Sequence, residues 1–152
     1  MPKLVHAIAG AIALATISLF WLSTVAVELS GWQAGIIGVK TTIPYGFIVL
    51  IPALIATGGS GGFLARGRAG RLVDNKRIRM KIVAANGLLL LVPAALFLSV
   101  KASRGDFDSV FALVQIVELA AGAANILLLS RNMRDGLRLS GRGRSGARRR
   151  LA

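Results

Sequence analysis

Four long apolar runs alternate with short polar segments along the chain. The first covers residues 4–27 and reads "LVHAIAGAIALATISLFWLSTVAV"; the others cover 43–65, 82–100 and 109–130. Each is near the ~20 residues that a helix needs to cross a hydrocarbon core. Lipid gives backbone N–H and C=O groups no partner, so runs of this length predict helices rather than irregular chain. The period-two alternation of a membrane barrel is absent. With short connections, the pattern predicts an all-α membrane protein, four transmembrane helices in an up-down bundle over residues 1–139. A cleaved signal peptide is the rival reading of the first run, because Lys3 gives it a positive start. Its apolar length exceeds the ~7–15 residues of a signal core, and Trp21 stands close to where cleavage would fall. The run therefore reads as a retained helix, with Trp21 and Trp32 in an aromatic belt at the membrane interface.

Charge orients the bundle. The chain has 152 residues, a net charge of +13 and only 16% charged residues, so its basic positions are segregated from its apolar ones. Sixteen of the 19 lysines and arginines fall at the N-terminus, between the second and third runs, or after the fourth. The opposite side has Lys40, Lys101 and Arg104, with Glu28, Asp106 and Asp108 beside them. The positive-inside bias places both termini in the cytoplasm. Arg66, Arg68, Arg71, Lys76 and Arg77 are then the expected contacts to anionic phospholipid headgroups. Residues 140–152, rich in Gly and Arg, read as a disordered basic cytoplasmic tail lying against the same headgroups. No aromatic residue interleaves those arginines, so a base-stacking platform is missing and nucleic acid is not the expected partner. Thr41, Thr42 and Pro44 suit the start of the second helix. "SRGDFDS" stops the third at Gly105 and offers Asp106 or Asp108 to the start of the fourth.

Polar residues inside the runs carry the candidate chemistry. Gln115, Glu118, Gly122 and Asn125 recur at i, i+3, i+7 and i+10, on one face of the fourth helix, which must point into the bundle. Glu118 lies twelve residues from Ser130, roughly 18 Å at ~1.5 Å per residue, and so near mid-membrane. A carboxylate there is expected to be protonated or paired with a donor. Equal counting from the other cytoplasmic ends reaches Thr16, Pro52–Ala53 and Pro93–Ala94, where the prolines release the carbonyls of Ile48 and Leu89. Nearer the cytoplasm, His6, Asn86 and Asn125 form a second polar layer, in which the two asparagines bond across helices.

The glycines of "ALIATGGSGGFLARGRAG" have two readings. A phosphate loop needs G-x-x-x-x-G-K-[ST] between a strand and a helix, and neither the Lys-Ser/Thr pair nor the strand is present. Gly58 and Gly62, four apart on one helical face, instead read as a helix-packing surface, with Gly122 in the same role. A phosphate held by glycine-rich backbone beside Arg66 and Arg68 is the functional alternative.

Two resemblances add expectations. His6 and Gly10 resemble the H-x-x-x-G opening of haem-binding helices in b-type membrane cytochromes, which would make haem b a cofactor. A second histidine ligand is missing, so haem would require His6 from two protomers or Met80. The absence of cysteine and the single histidine otherwise argue against metal centres and nucleophilic catalysis in one chain. The pieces "ATGGSGG", "AANGLLLLVPAALFL", "GDFDS", "VQIVELAAGAAN" and "NMRDGLRL" resemble small uncharacterised four-helix inner-membrane proteins of bacteria. That resemblance implies a bacterial inner membrane and four helices, but no activity. The expected function is an accessory or scaffold protein without catalysis of its own, in a homo-oligomer or a larger membrane complex. The alternatives are a carrier or channel using Glu118 and a haem-binding electron carrier.

Overall fold

The computed structural model describes residues 2–64, 66 and 71–139. These residues form α1 (Pro2–Ser30), α2 (Gln33–Leu64), α3 (Arg71–Asn86), a π-helical turn (Gly87–Leu91), α4 (Val92–Ser103) and α5 (Ser109–Leu139). The π turn joins α3 and α4 into one rod, leaving four rods. All four are long and apolar enough to cross a membrane: Lys3–Ser30, Gln33–Leu64, Asp74–Ser103 and Ser109–Leu137. Neighbours in sequence pack side by side, and α5 closes the bundle against α1. Residues 140–152, the expected tail, and Arg68 lie outside the described residues, as does the Arg71 side chain.

The helices outrun the apolar segments that announce them. α2 begins at Gln33, ten residues before the expected start, so Thr41, Thr42 and Pro44 lie inside it. Thr41 donates its hydroxyl to the Ile37 carbonyl within the helix and caps nothing. A single lysine, Lys40, hides the continuity of that run in the sequence. Pro44 and Pro52 stand in the helix interior, where each removes the donor to the carbonyl four residues earlier. On the third rod, Pro93 has the same effect and the π turn precedes it, with the Val92 N–H reaching back to the Gly87 carbonyl.

Two tight turns need glycine. Gly31 (φ 64°) and Gly105 (φ 73°) adopt the left-handed conformation that ends α1 and α4. The α1–α2 approach depends on glycine for space. A Cβ on Gly46 would stand 2.2 Å from the Phe20 ring, and one on Gly35 2.3 Å from the Trp32 ring.

The interior has two apolar clusters. One gathers Ala13, Ile17, Leu50, Ala53, Val83 and Leu129; the other, towards the α1–α2 and α4–α5 turns, gathers Ile36, Leu98, Ala102 and Phe111. Large apolar side chains such as Leu19, Ile48, Ile55, Leu89 and Leu113 face outward, as a lipid-facing surface requires.

At the start of α5, Asp108 accepts the Phe111 N–H at 2.8 Å and pairs with Lys101. The Lys101 ammonium first, and then that N–H, hold the Asp108 carboxyl below its ordinary value. A carboxyl lowered in the folded state stabilises it above the ordinary carboxylate range and stops doing so as pH falls through its folded value. Protection of the Phe111 amide, its exchange relative to an unstructured chain at the same pH, should therefore fall as Asp108 is protonated, and Asp108→Ala should lower it at every pH. A protection that acid leaves unchanged in the unaltered protein would count against the cap.

Candidate functional site

α5 carries a polar face along its whole length, and each level of that face meets a different helix. Towards the α4–α5 turn, Glu118 pairs with Lys40 of α2, the ammonium resting on Oε2. Lys40 is 1% exposed and Glu118 8%. The Gln115 amide points at the same Oε2 from one helical turn away, at 3.5 Å. Glu28, near the end of α1, lies within electrostatic reach of both Lys40 and Glu118. Two oxygens of these side chains, Glu28 Oε1 and Gln115 Oε1, are buried without a hydrogen bond among the described residues. An apolar cleft of about 60 Å³ opens beside Glu118, lined among others by Phe20, Trp21, Thr24, Phe47 and Gly122.

One level further along, the Asn86 amide donates to Asn125 Oδ1 at 2.8 Å and to the Ala121 carbonyl at 2.9 Å. Asn125 in turn donates to the Val83 carbonyl at 3.4 Å. The expected bond between the asparagines is present, though it joins only α3 and α5. Trp21 is turned against α5. Its indole N–H donates to the Leu119 carbonyl at 2.9 Å, and its ring covers Gly122, where a Cβ would come within 3.0 Å. Trp32, by contrast, is 64% exposed at the α1–α2 turn.

The third level lies at the other end. The His6 Nδ1 proton goes to the Thr57 carbonyl at 3.1 Å, with the Ser60 hydroxyl at 3.2 Å, and Nε2 accepts from Lys76 at 3.2 Å. A carbonyl can only accept and an ammonium can only donate, which fixes this tautomer. Arg79 pairs with Asp135 at 2.6 Å and reaches Asn132 Oδ1 at 3.5 Å. The Nδ1 bond to Thr57 leaves Nε2 as the one nitrogen that haem could take, and Lys76 occupies it, so ligation would have to displace that ammonium. Lys76 points inward to His6 rather than out to headgroups, whereas Arg66 is exposed, its guanidinium 5.7 Å from the Phe63 ring centre. Arg77 is exposed.

The partner of Glu118 differs from those reached by counting. Thr16 and the carbonyls of Ile48 and Leu89 are not used; Lys40 is. The apolar ends of the four runs do not lie in one plane. Through Lys76, His6 is level with Gly136, past the Ser130 from which depth was counted. α1 and α2 are therefore displaced along the bundle, so that Thr24 of α1 and Ile43 of α2 flank the Glu118 cleft. On the third rod Ala95 lines it, close to the expected Pro93–Ala94.

The glycine cluster is also redistributed. Among the described residues Gly58 and Gly62 have no packing neighbour, since a Cβ at either would meet no atom of theirs within 4 Å. Gly61, between them, lets His6 approach, with a Cβ contact of 3.0 Å. Inside the chain, helix packing therefore involves Gly61 and Gly122 rather than Gly58 and Gly62. The sequence reading gives no site role to Lys40, Glu28, Arg79 or Asp135, and takes Lys40 and Glu28 only as charges at the less basic ends of the helices. Lys40 had one visible signal, an isolated charge with apolar residues on both sides.

The chain matches no family model, no curated protein and no solved structure, so the site is read from its own geometry.

Removing one member of a buried pair strands the other, at a typical cost of ~3–5 kcal/mol. Lys40→Met and Glu118→Leu should each destabilise the bundle by about that much, and the double variant by clearly less than their sum. Reversible unfolding in detergent measures this cycle. Additive losses would mean that the two side chains do not depend on each other.

Proposed function

We propose that this chain is a small polytopic protein of a bacterial inner membrane that works as an accessory or scaffold without catalysis of its own. Both termini lie in the cytoplasm in this reading, supported by the segregation of basic residues to that side. Anionic headgroups then face Arg66 and its neighbours. The observation that carries the reading is how α5 uses its polar face. Glu118 holds Lys40, Asn125 holds Asn86, and Asp135 holds Arg79. The polar groups thus tie helices to one another, and a packed apolar cluster lies between the charged layers. What α2 leaves uncovered is the face with Gly58 and Gly62, where another backbone can come close. A homo-oligomer or a larger membrane complex would form there.

The chain has no native cysteine, so single Gly58→Cys and Gly62→Cys variants give clean crosslinks in membranes. Crosslinking at these two positions should exceed that at Phe63→Cys, exposed at the same depth but turned ~100° or more around the helix, by tenfold or more. Crosslinks spread evenly around α2 would remove this face as the contact surface.

A second reading, a carrier using Glu118, draws support from the two unbonded oxygens beside the ion pair. In reconstituted vesicles, Glu118→Gln should then abolish a proton or solute flux that the unaltered protein sustains. An unchanged flux would take Glu118 out of the mechanism.

A further inference from the structure

We propose that Glu28, Lys40, Glu118 and Gln115 form a binding site for one mobile proton, held on the Glu28 carboxyl. The inference begins with charge. Two carboxylates and one ammonium leave a net charge of −1 if all three are ionised. Lys40 and Glu118 lie between the Ile36–Leu98–Phe111 cluster on one side and the Ile17–Leu50 cluster on the other, and Glu28 is within electrostatic reach of both from near the end of α1. An uncompensated charge in such apolar surroundings is strongly disfavoured. One added positive charge makes the layer neutral.

The unbonded oxygens say where that charge belongs. Lys40 has its ammonium on Glu118 Oε2, and Gln115 points its amide at the same atom. Glu118 is thus the ionised partner. Among the described residues Glu28 has no ion-pair partner, and its buried Oε1 has no hydrogen-bond partner. Gln115, only 5% exposed, likewise has a buried Oε1 without a partner among the described residues. A lone acceptor oxygen on a carboxyl is relieved by a proton, which converts it into a donor. A monovalent metal ion would require a shell of several oxygens. The layer offers two free ones, and the described residues contain no group of three acidic or histidine side chains placed to hold a metal.

The position of Glu28 gives this proton a route. Glu28 stands two residues before the end of α1 and is partly exposed, whereas Lys40 and Glu118 are buried. Release breaks the O–H bond, leaves the electron pair on the carboxylate and delivers the proton to water at the helix end. The charges that reach Glu28 are Lys40 from α2 and Glu118 from α5. At the end of α4, Lys101 is paired with Asp108. The site is independent of the scaffold reading, and it supplies the carrier reading with its proton.

Infrared spectroscopy of the full chain in lipid vesicles, titrated with alkali, tests the proposal through the carboxylic-acid C=O stretch. The unaltered protein should show one protonated carboxyl at neutral pH, lost in a single-proton step as pH rises. Glu28→Gln should abolish the band. Glu118→Gln should abolish it too, because Glu28 then becomes the counter-ion of Lys40. Lys40→Met should double it, since both carboxyls must then be neutral. Trp21 emission reports whether each variant keeps its packing, and the titration of the unaltered protein stands without any variant. No protonated carboxyl at neutral pH, or a band that survives Glu28→Gln, would overturn the proposal. Loss of the band when sodium replaces choline at constant pH would make sodium the occupant and overturn it as well.

Discussion

An ammonium and a carboxylate buried against each other inside an apolar bundle hold only if the surrounding helices keep them in register. Lys40 and Glu118 come from α2 and α5, and α1 crosses them with Trp21 and Thr24. Separating the two charges in this setting leaves each in a medium that cannot solvate it. The pair therefore sets how far α2 can slide along α5. Apolar packing alone sets this poorly, because lipid tails and leucine side chains are nearly equivalent neighbours. The other two polar levels depend on the same alignment. If α2 shifted by one turn, Thr57 and Ser60 would leave His6, and Lys76 would lose the ring that orients it.

The two charged levels differ in kind. The His6–Lys76 and Arg79–Asp135 level lies among exposed arginines such as Arg131 and Arg134, where water and headgroups can replace a lost partner. The Lys40–Glu118 level has apolar clusters on both sides, and neither buried side chain has such a replacement for its partner. A bundle used only as a spacer could fill that position with leucines at lower cost. Its retained charges are the reason that the layer, rather than the basic end, is the candidate site.

The sequence made the four crossings legible, because hydropathy and the ban on unpaired backbone in lipid act locally. The inward face of α5 was legible for the same reason: Gln115, Glu118 and Asn125 repeat with the helical period, and all three are buried. Lys40 was not, because a lone lysine near the end of an apolar run reads as a loop boundary. Its partner lies 78 residues away, beyond any local pattern. Levels between helices were also out of reach, since runs of similar length can be staggered by several turns without changing their composition. The glycines showed where close approach was permitted but not which neighbour used it, so Gly61 could not be told from Gly58 and Gly62.

The single π turn in the third rod has a geometric consequence. An α-helix advances ~100° per residue, and a π turn accommodates about one residue more per revolution. Val83 and Asn86 before the turn, and Ala95, Leu98 and Ala102 after it, all look into the bundle. On an unbroken α-helix those two sets would be offset by about a third of a turn. Either the asparagine or the leucine would then rotate towards lipid. The wide turn at Gly87–Leu91 acts as a phase corrector, allowing one rod to serve the asparagine level at one end and the apolar cluster behind the ion pair at the other.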